Sequence, residues 1–244
     1  MVVSNIIQQA RAPEMPMSSS SIPITAVTFD GDGTLWDVLA AARQALSAVA
    51  ATISRERLAG ARTVSVRQLE AARAEAEREH PDWSMELLRR QSFLTILARH
   101  GALDLDTSQL WKGFLDARRD QTSPFDDAAP VLRFLRSRAV KTGLLSNGNT
   151  LPEQVGLGGC FDHVQVAEYA GVRKPDPAAF TVAAAALRCE PATVLHVGDD
   201  EREDYAAARA AGFQAVLLRR DGAVATDSIE TLARIPELLG LAPS

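Results

Sequence analysis

Cysteine is scarce in this sequence, with only Cys160 and Cys189 among 244 residues. Two cysteines provide neither a disulfide framework nor the four ligands of a structural zinc site. We therefore predict free thiols in a buried core, in a protein that works in a reducing compartment.

An excess of positive charge is also lacking. The 26 Lys and Arg residues are outnumbered by 31 Asp and Glu residues, which gives a net charge of −5 and a pI near 5.4. This balance offers no electrostatic reason to bind nucleic acid or an anionic membrane.

Long apolar runs are absent as well. No stretch approaches the ~18 uninterrupted apolar residues of a membrane-spanning helix. Residues 1–22 contain no continuous apolar segment of the signal-peptide type. We expect them to form a disordered leader, and we expect the protein to be cytoplasmic.

What the sequence does contain is a regular alternation of strand and helix patterns, in a chain that is 46% hydrophobic. After residue 123, short apolar runs alternate with helical periodicity, which is typical of a parallel sheet with helices on both faces. We predict an α/β fold with a doubly wound, Rossmann-like sheet. The predicted strands cover residues 26–29, 142–145, 163–167, 193–197 and 214–218, and a closing helix is predicted over 228–239.

The stretch between residues 37 and 122 follows a different pattern. It shows helical periodicity over 38–53, 64–80, 85–99 and 107–120, and it contains no convincing strand. We predict an all-helical domain over 37–122, inserted into a core formed by 23–36 and 123–244. Trp83 and Trp111 are predicted to lie in the core of this insertion.

Two carboxylates follow the first predicted strand, in the segment Asp30-Gly31-Asp32-Gly33-Thr34. Glycines let main-chain amides approach an anion closely, so the segment suits an Asp nucleophile with a second Asp for proton transfer. A solvated turn is the alternative interpretation. A calcium loop is excluded, because its sixth position would be Leu35 and its twelfth Ala41, where Gly and Glu are required.

Polar residues follow two further predicted strands. The carboxyl ends of parallel strands lie at one edge of a sheet, where ligands bind. We therefore expect several side chains to converge there: Asp30, Asp32, Ser146, Asn147, Lys174, Asp199, Asp200 and Asp204. Each has an ordinary alternative role, such as a turn, a helix cap or a solvated surface charge.

The charges at this edge indicate the kind of ligand. Several crowded carboxylates need a cation, and oxygen ligands of this type suit Mg²⁺. Lys174 and the Ser146 hydroxyl are then left to bind an anionic substrate. His196, inside an apolar strand, is interpreted as structural, and Trp36 either contacts the substrate or anchors the linker to the insertion.

With these residues in place, the sequence resembles the haloacid dehalogenase superfamily of hydrolases. Its four signature segments occur in order: residues 29–35 (FDGDGTL), residues 144–148 (LLSNG), residues 173–175 (RKP), and Gly198-Asp199 with Asp204. The helical insertion resembles the family's C1-type cap. Hinge motion is expected at its two linkers, near 36–37 and 122–124, where closure would exclude water.

The resemblance implies a Mg²⁺-dependent phosphatase that acts on a small phosphorylated metabolite. Asp30 would be the nucleophile that forms an aspartyl-phosphate, and Asp32 the acid and base. The remaining roles are metal binding (Asp30, the Asp32 carbonyl and Asp199), phosphate binding (Gly31, Ser146, Asn147 and Lys174) and support (Asp204, Asp200 and Thr34). Asp200 would either add charge near the metal or cap the next helix.

Different functions are compatible with the same motifs. A 2-haloacid dehalogenase uses the same nucleophile without a metal, but the resemblance implies that such enzymes lack the second Asp, which is present here as Asp32. A phosphomutase would also fit the motifs, and so would a non-catalytic binding or regulatory protein. The sequence leaves monomer and homodimer both open.

Overall fold

A computed structural model describes residues 22–56, 63–222 and 227–241 of the protein. Apart from residue 22, the predicted leader lies outside these ranges. Within them, no helix combines the length and the apolar character that crossing a membrane requires.

The core is a parallel sheet of six strands, which confirms the predicted α/β fold. The strands are β1 (Ala26–Phe29), β2 (Lys141–Ser146), β3 (His163–Val166), β4 (Val194–Gly198), β5 (Gln214–Leu218) and β6 (Ser228–Ile229). Their order is β3-β2-β1-β4-β5-β6. β1 is central, with Phe29 opposite both Leu144 and Val197, so the first carboxylates emerge at the middle of the sheet.

Both faces of the sheet are covered, as the fully buried sequence of β1 requires. Because successive side chains point to opposite faces, Val27 and Phe29 join one hydrophobic cluster and Ala26 joins another, which contains Phe180 and Phe213. The covering helices are α5 (Ala128–Ser137), α7 (Pro177–Leu187), α8 (Ala207–Ala210) and α9 (Ile235–Leu238), while the short α6 (Ala167–Ala170) buries none of its residues.

Four helices form the insertion between β1 and α5. They are α1 (Val38–Glu56), α2 (Val66–Glu79), α3 (Met85–Arg99) and α4 (Thr107–Gln121). Their apolar faces share a separate cluster that includes Leu46, Phe93 and Phe114. Trp111 packs against this cluster, as predicted, but Trp83 is 36% exposed in the turn before α3, where it stacks on His80.

The prediction of a closing helix over 228–239 is wrong. Ser228 and Ile229 extend the sheet beside Leu217 and Leu218, and a helix of four residues, α9, follows only at 235. Pro236 explains the difference, because proline has no N–H for the helical ladder and fits only the first turn of a helix.

The cysteines differ slightly from expectation. Both are free, as predicted, but they are partly rather than fully buried.

The two linkers of the insertion run side by side. Asp37 donates its N–H to the Ser123 carbonyl at 3.1 Å, and Phe125 donates to the Leu35 carbonyl at 2.9 Å. Trp36, in the first linker, is fully buried and is bridged both to Asp32 and to Pro124 in the second linker. The first linker is therefore directly connected to the segment that carries the first carboxylates.

Candidate active site

Lys174 is the centre of a buried charge cluster at the carboxyl ends of the strands. Its side chain is 1% exposed, and its Nζ lies 2.7 Å from Asp30 Oδ1 and 2.5 Å from Asp204 Oδ1. The alternative of a solvated lysine is therefore wrong. The fold brings together residues that are 144 and 30 positions apart in the chain.

Asn147 fixes the main chain of Lys174. Its Oδ1 accepts from the Lys174 N–H at 2.9 Å, and its Nδ2 donates to the Lys174 carbonyl at 2.8 Å and to Glu203 Oε2 at 2.7 Å. The Asn147 side chain is thus occupied in positioning Lys174. Glu203 was not predicted, and only its place beside Asp204 hints at this contact.

Asp204 and His196 continue the cluster below the lysine. Asp204 lies in a π-helical turn (Glu201–Ala206), accepts from the Asp200 N–H at 3.0 Å and lies 3.2 Å from His196 Nε2. His196 Nδ1 lies 2.9 Å from the Thr28 hydroxyl. Because burial lowers the pKa of His196, we treat the ring as neutral, a structural bridge between β1 and Asp204.

The charges of Asp204 and Lys174 are mutually stabilised. Burial opposes ionisation of Asp204, but the hydrogen bond from His196 and the charge of Lys174 outweigh it and hold the pKa well below its usual range. Burial likewise opposes protonation of Lys174, yet Asp30 and Asp204 raise its pKa above the ordinary value. The ion pair therefore stays charged around neutral pH.

Of the two roles considered for Asp200, the structure shows a helix cap. Its Oδ1 accepts from the N–H groups of Arg202 and Glu203 at 2.8 and 2.6 Å, at the start of the π-helical turn. The side chain is otherwise exposed.

Three carboxylates lie close enough together to hold a cation, and one of them, Asp204, is already paired with Lys174. Oxygens of Asp30, Asp199 and Asp204 lie within 4.8 Å of one another. Burial raises the pKa of Asp30 to about 7 and, together with the charge of Asp204, that of Asp199 to about 6. A hard divalent cation would relieve this crowding, so the donor set fits Mg²⁺.

The first loop is shaped around Asp199. Thr34 donates its hydroxyl to Asp199 Oδ1 at 3.4 Å. Gly33 has a φ of +88°, and a Cβ there would overlap the Asp199 carboxylate. Only glycine satisfies both the left-handed backbone and this close approach.

Asp32 is separate from the buried cluster and is held by Trp36. The indole Nε1–H donates to Asp32 Oδ1 at 2.6 Å, while the Trp36 carbonyl accepts from the Gly33 N–H at 2.9 Å. A Cβ on Gly31 would lie only 2.5 Å from the indole ring. Trp36 therefore anchors the linker, as one interpretation predicted, and it also fixes the Asp32 carboxylate.

Ser146 completes the edge beside Gly31. Its hydroxyl oxygen accepts from the Gly148 N–H at 3.1 Å and lies 3.0 Å from the position that a Cβ on Gly31 would occupy. The hydroxyl is therefore buried beside the main chain of Gly31, the residue that follows Asp30.

A cavity of about 520 Å³ opens at Asp32. The loop after β2 contributes Asn147, Gly148 and Asn149 to its lining, and the insertion contributes Arg118, whose Nη2 donates to Asn149 Oδ1 at 2.6 Å. Residues 167–168 and 171–173 supply the rest. Sequence patterns gave no signal for Arg118, because it lies on α4, remote from every motif.

Comparison with known proteins identifies a family of hydrolases. The model of the haloacid dehalogenase-like hydrolase family matches residues 24–212. Haloacid dehalogenase-like hydrolase domain-containing protein 3 from Bos taurus is 35% identical over 144 residues, which cover 56% of this chain and 56% of that protein. Glyceraldehyde 3-phosphate phosphatase from Methanopyrus kandleri is 31% identical over 110 residues, covering 43% and 47%.

The similarity to solved structures extends over most of the chain. The crystal structure of 2-haloacid dehalogenase from Pseudomonas syringae pv. Tomato has a TM-score of 0.66 and 28% identity, over 89% of this chain and 98% of that one. By contrast, the chain spans about half the length of the curated relatives it matches.

Proposed function

Because the chain belongs to the haloacid dehalogenase-like hydrolases, we propose that it is a Mg²⁺-dependent phosphatase acting on a small phosphate ester. The observation that carries this proposal is the placement of Asp32. Its carboxylate lines the cavity and is held by Trp36, while Asp30 lies with Lys174 in the buried cluster. The two carboxylates thus occupy different environments, which suits two different roles.

In the first step, an Asp30 carboxylate oxygen attacks phosphorus and the bond from phosphorus to the ester oxygen breaks. The Asp32 carboxylic acid gives its proton to that leaving oxygen, so an alcohol departs. The phosphoryl oxygens would be bound by Lys174, the Ser146 hydroxyl and the main-chain amides of Gly31 and Asn147.

In the second step, water attacks phosphorus of the aspartyl-phosphate, and Asp32, now a carboxylate, takes its proton. The bond to Asp30 breaks, which releases inorganic phosphate and restores both side chains. Asp30, Asp199 and the Asp32 carbonyl would hold Mg²⁺, which when bound neutralises charge on the phosphoryl oxygens. Asp204 keeps Lys174 in place, and Thr34 keeps Asp199 in place.

Dehalogenation is the rival activity, since a 2-haloacid dehalogenase is among the similar structures. Displacement of halide requires no acid at the leaving group, so it would leave the Asp32–Trp36 pair without a catalytic purpose. A phosphate ester of an alcohol does require that acid, which favours the phosphatase.

The test measures phosphate release from small phosphate esters, with Mg²⁺ and with EDTA. We expect turnover with Mg²⁺, a loss of at least about 100-fold in EDTA, and recovery when Mg²⁺ is restored. A parallel assay follows chloride release from 2-chloropropionate in EDTA. Chloride release without any phosphate release would overturn the proposal in favour of dehalogenation.

Trp36→Phe tests whether Asp32 acts as the acid. We expect kcat/KM to fall about 10- to 100-fold for alkyl phosphates, because a misplaced Asp32 no longer protonates the alkoxide. For p-nitrophenyl phosphate we expect a change within about threefold, because nitrophenolate leaves without a proton. Both values come from steady-state phosphate release.

Trp111→Phe, in the insertion, is the matched control. It should leave the ratio of kcat/KM for alkyl phosphates to kcat/KM for p-nitrophenyl phosphate unchanged. An equal loss on both esters in Trp36→Phe would mean that the tryptophan only supports the fold.

A further inference from the structure

We propose that the alcohol released by this enzyme carries an anionic group, a carboxylate or a second phosphate, which Arg118 and Arg173 bind. The inference rests on the proposed phosphatase activity. It identifies the part of the substrate that is not the transferred phosphoryl group.

The leaving alcohol is the part of the substrate that the cavity can hold. Asp32 lines the cavity, whereas Asp30 and Lys174 do not and are buried in the cluster. The ester oxygen that Asp32 protonates belongs to the leaving alcohol. The alcohol therefore extends from Asp32 into the cavity, and the cavity lining determines which alcohols fit.

Arg118 projects from the last turn of α4 and is half-buried. Its side-chain partner in the described part of the chain is the neutral amide oxygen of Asn149, at 2.6 Å. The next residue, Arg119, instead pairs with Asp116 and Asp120 at 3.1 and 3.3 Å. Arg118 is thus held in place by a neutral group, with its charge uncompensated by a carboxylate.

A second guanidinium group lines the same cavity. It belongs to Arg173, which is exposed and forms no ion pair with any residue in the described ranges. The carboxylates of the lining are Asp32 and the exposed Glu168. Neither carboxylate forms an ion pair with Arg118 or Arg173 within the described residues, so both guanidinium groups are available to an anionic ligand.

The chemistry of guanidinium groups indicates the ligand. Arginine offers a planar fork of N–H donors that matches a carboxylate or phosphate with two parallel hydrogen bonds. A neutral alcohol would offer neither guanidinium group an anionic partner. An anionic leaving group satisfies them.

The experiment compares three esters in Mg²⁺: 3-phosphoglycerate, 1,3-propanediol bisphosphate and glycerol 1-phosphate. The first carries a carboxylate where the third carries a neutral hydroxymethyl group, and the second carries a further phosphate. We expect kcat/KM for one of the two anionic esters to exceed that for glycerol 1-phosphate by about 10- to 100-fold.

Arg118→Gln should reduce this preference to within about threefold, because kcat/KM falls for the anionic ester much more than for glycerol 1-phosphate. Arg173→Gln should reduce it in part, because Arg173 lacks the hydrogen bond that holds Arg118 in place. Arg119→Gln is the matched control on the same helix and should keep the full preference.

The possible failures are distinguishable. Equal rates for all three esters in the native enzyme, or an equal loss on all three in Arg118→Gln, would overturn the anion site while the phosphatase activity stands. Hydrolysis of none of the esters would overturn the proposed function, and this inference with it.

Discussion

Asp30→Asn is expected to abolish phosphate release, with a loss of at least about 10⁴-fold in kcat. The carboxamide has the shape of the carboxylate, but it is not a nucleophile toward phosphorus. The change also removes a carboxylate from the group that would hold the cation. Native enzyme mixed with p-nitrophenyl phosphate should form a phosphorylated protein that the variant cannot form, which intact-protein mass spectrometry after an acid quench detects.

The fold should survive this substitution. Lys174 keeps its second partner, Asp204, at 2.5 Å, and replacement of a buried carboxylate by a neutral isostere removes a desolvation penalty. The thermal midpoint should therefore equal or exceed that of the native protein. Asp106→Asn, at the exposed cap of α4, is the control for an Asp→Asn change and should retain full turnover. Retention of more than about 1% of native kcat by Asp30→Asn would eliminate Asp30 as the nucleophile.

Lys174→Met is expected to reduce both catalysis and stability. Loss of a buried cation at the phosphoryl group should lower kcat/KM by about 10²- to 10³-fold. The substitution also leaves Asp30 and Asp204 buried together without their partner, which should cost about 3–5 kcal/mol in the free energy of unfolding. Denaturant unfolding and steady-state phosphate release measure the two effects.

A second variant separates these two effects. Lys174→Met combined with Asp204→Asn removes the stranded carboxylate, so it should regain stability but not activity. Lys141→Met is the control, because Lys141 donates to the Leu187 carbonyl at the opposite end of β2. It should lose about 1 kcal/mol and keep its turnover. Parallel recovery of stability and activity in the double variant would mean that Lys174 is structural only.

Much of the core was determined by local sequence signals. The β1 segment is apolar at three of four positions and is followed at once by Asp30 and two glycines, so the strand, its burial and the polar loop follow from the sequence. Helix α3 was predicted at its observed boundaries, because Ser84 caps it and His100-Gly101 ends it. In each case the residues that specify an element lie within it or within a few positions of its ends.

Tertiary structure alone decided which of these groups meet. Within its own loop Lys174 resembles a surface lysine, and only packing places it between Asp30 and Asp204. Likewise, nothing beside Arg118 connects it with Asn149, and nothing beside Ser228 predicts a strand next to Leu217. The sequence determined the elements and the chemistry that each strand end can offer, because periodicity, caps and turns are local. Charge pairing and the cavity lining depend on distances between remote segments, which only the folded chain sets.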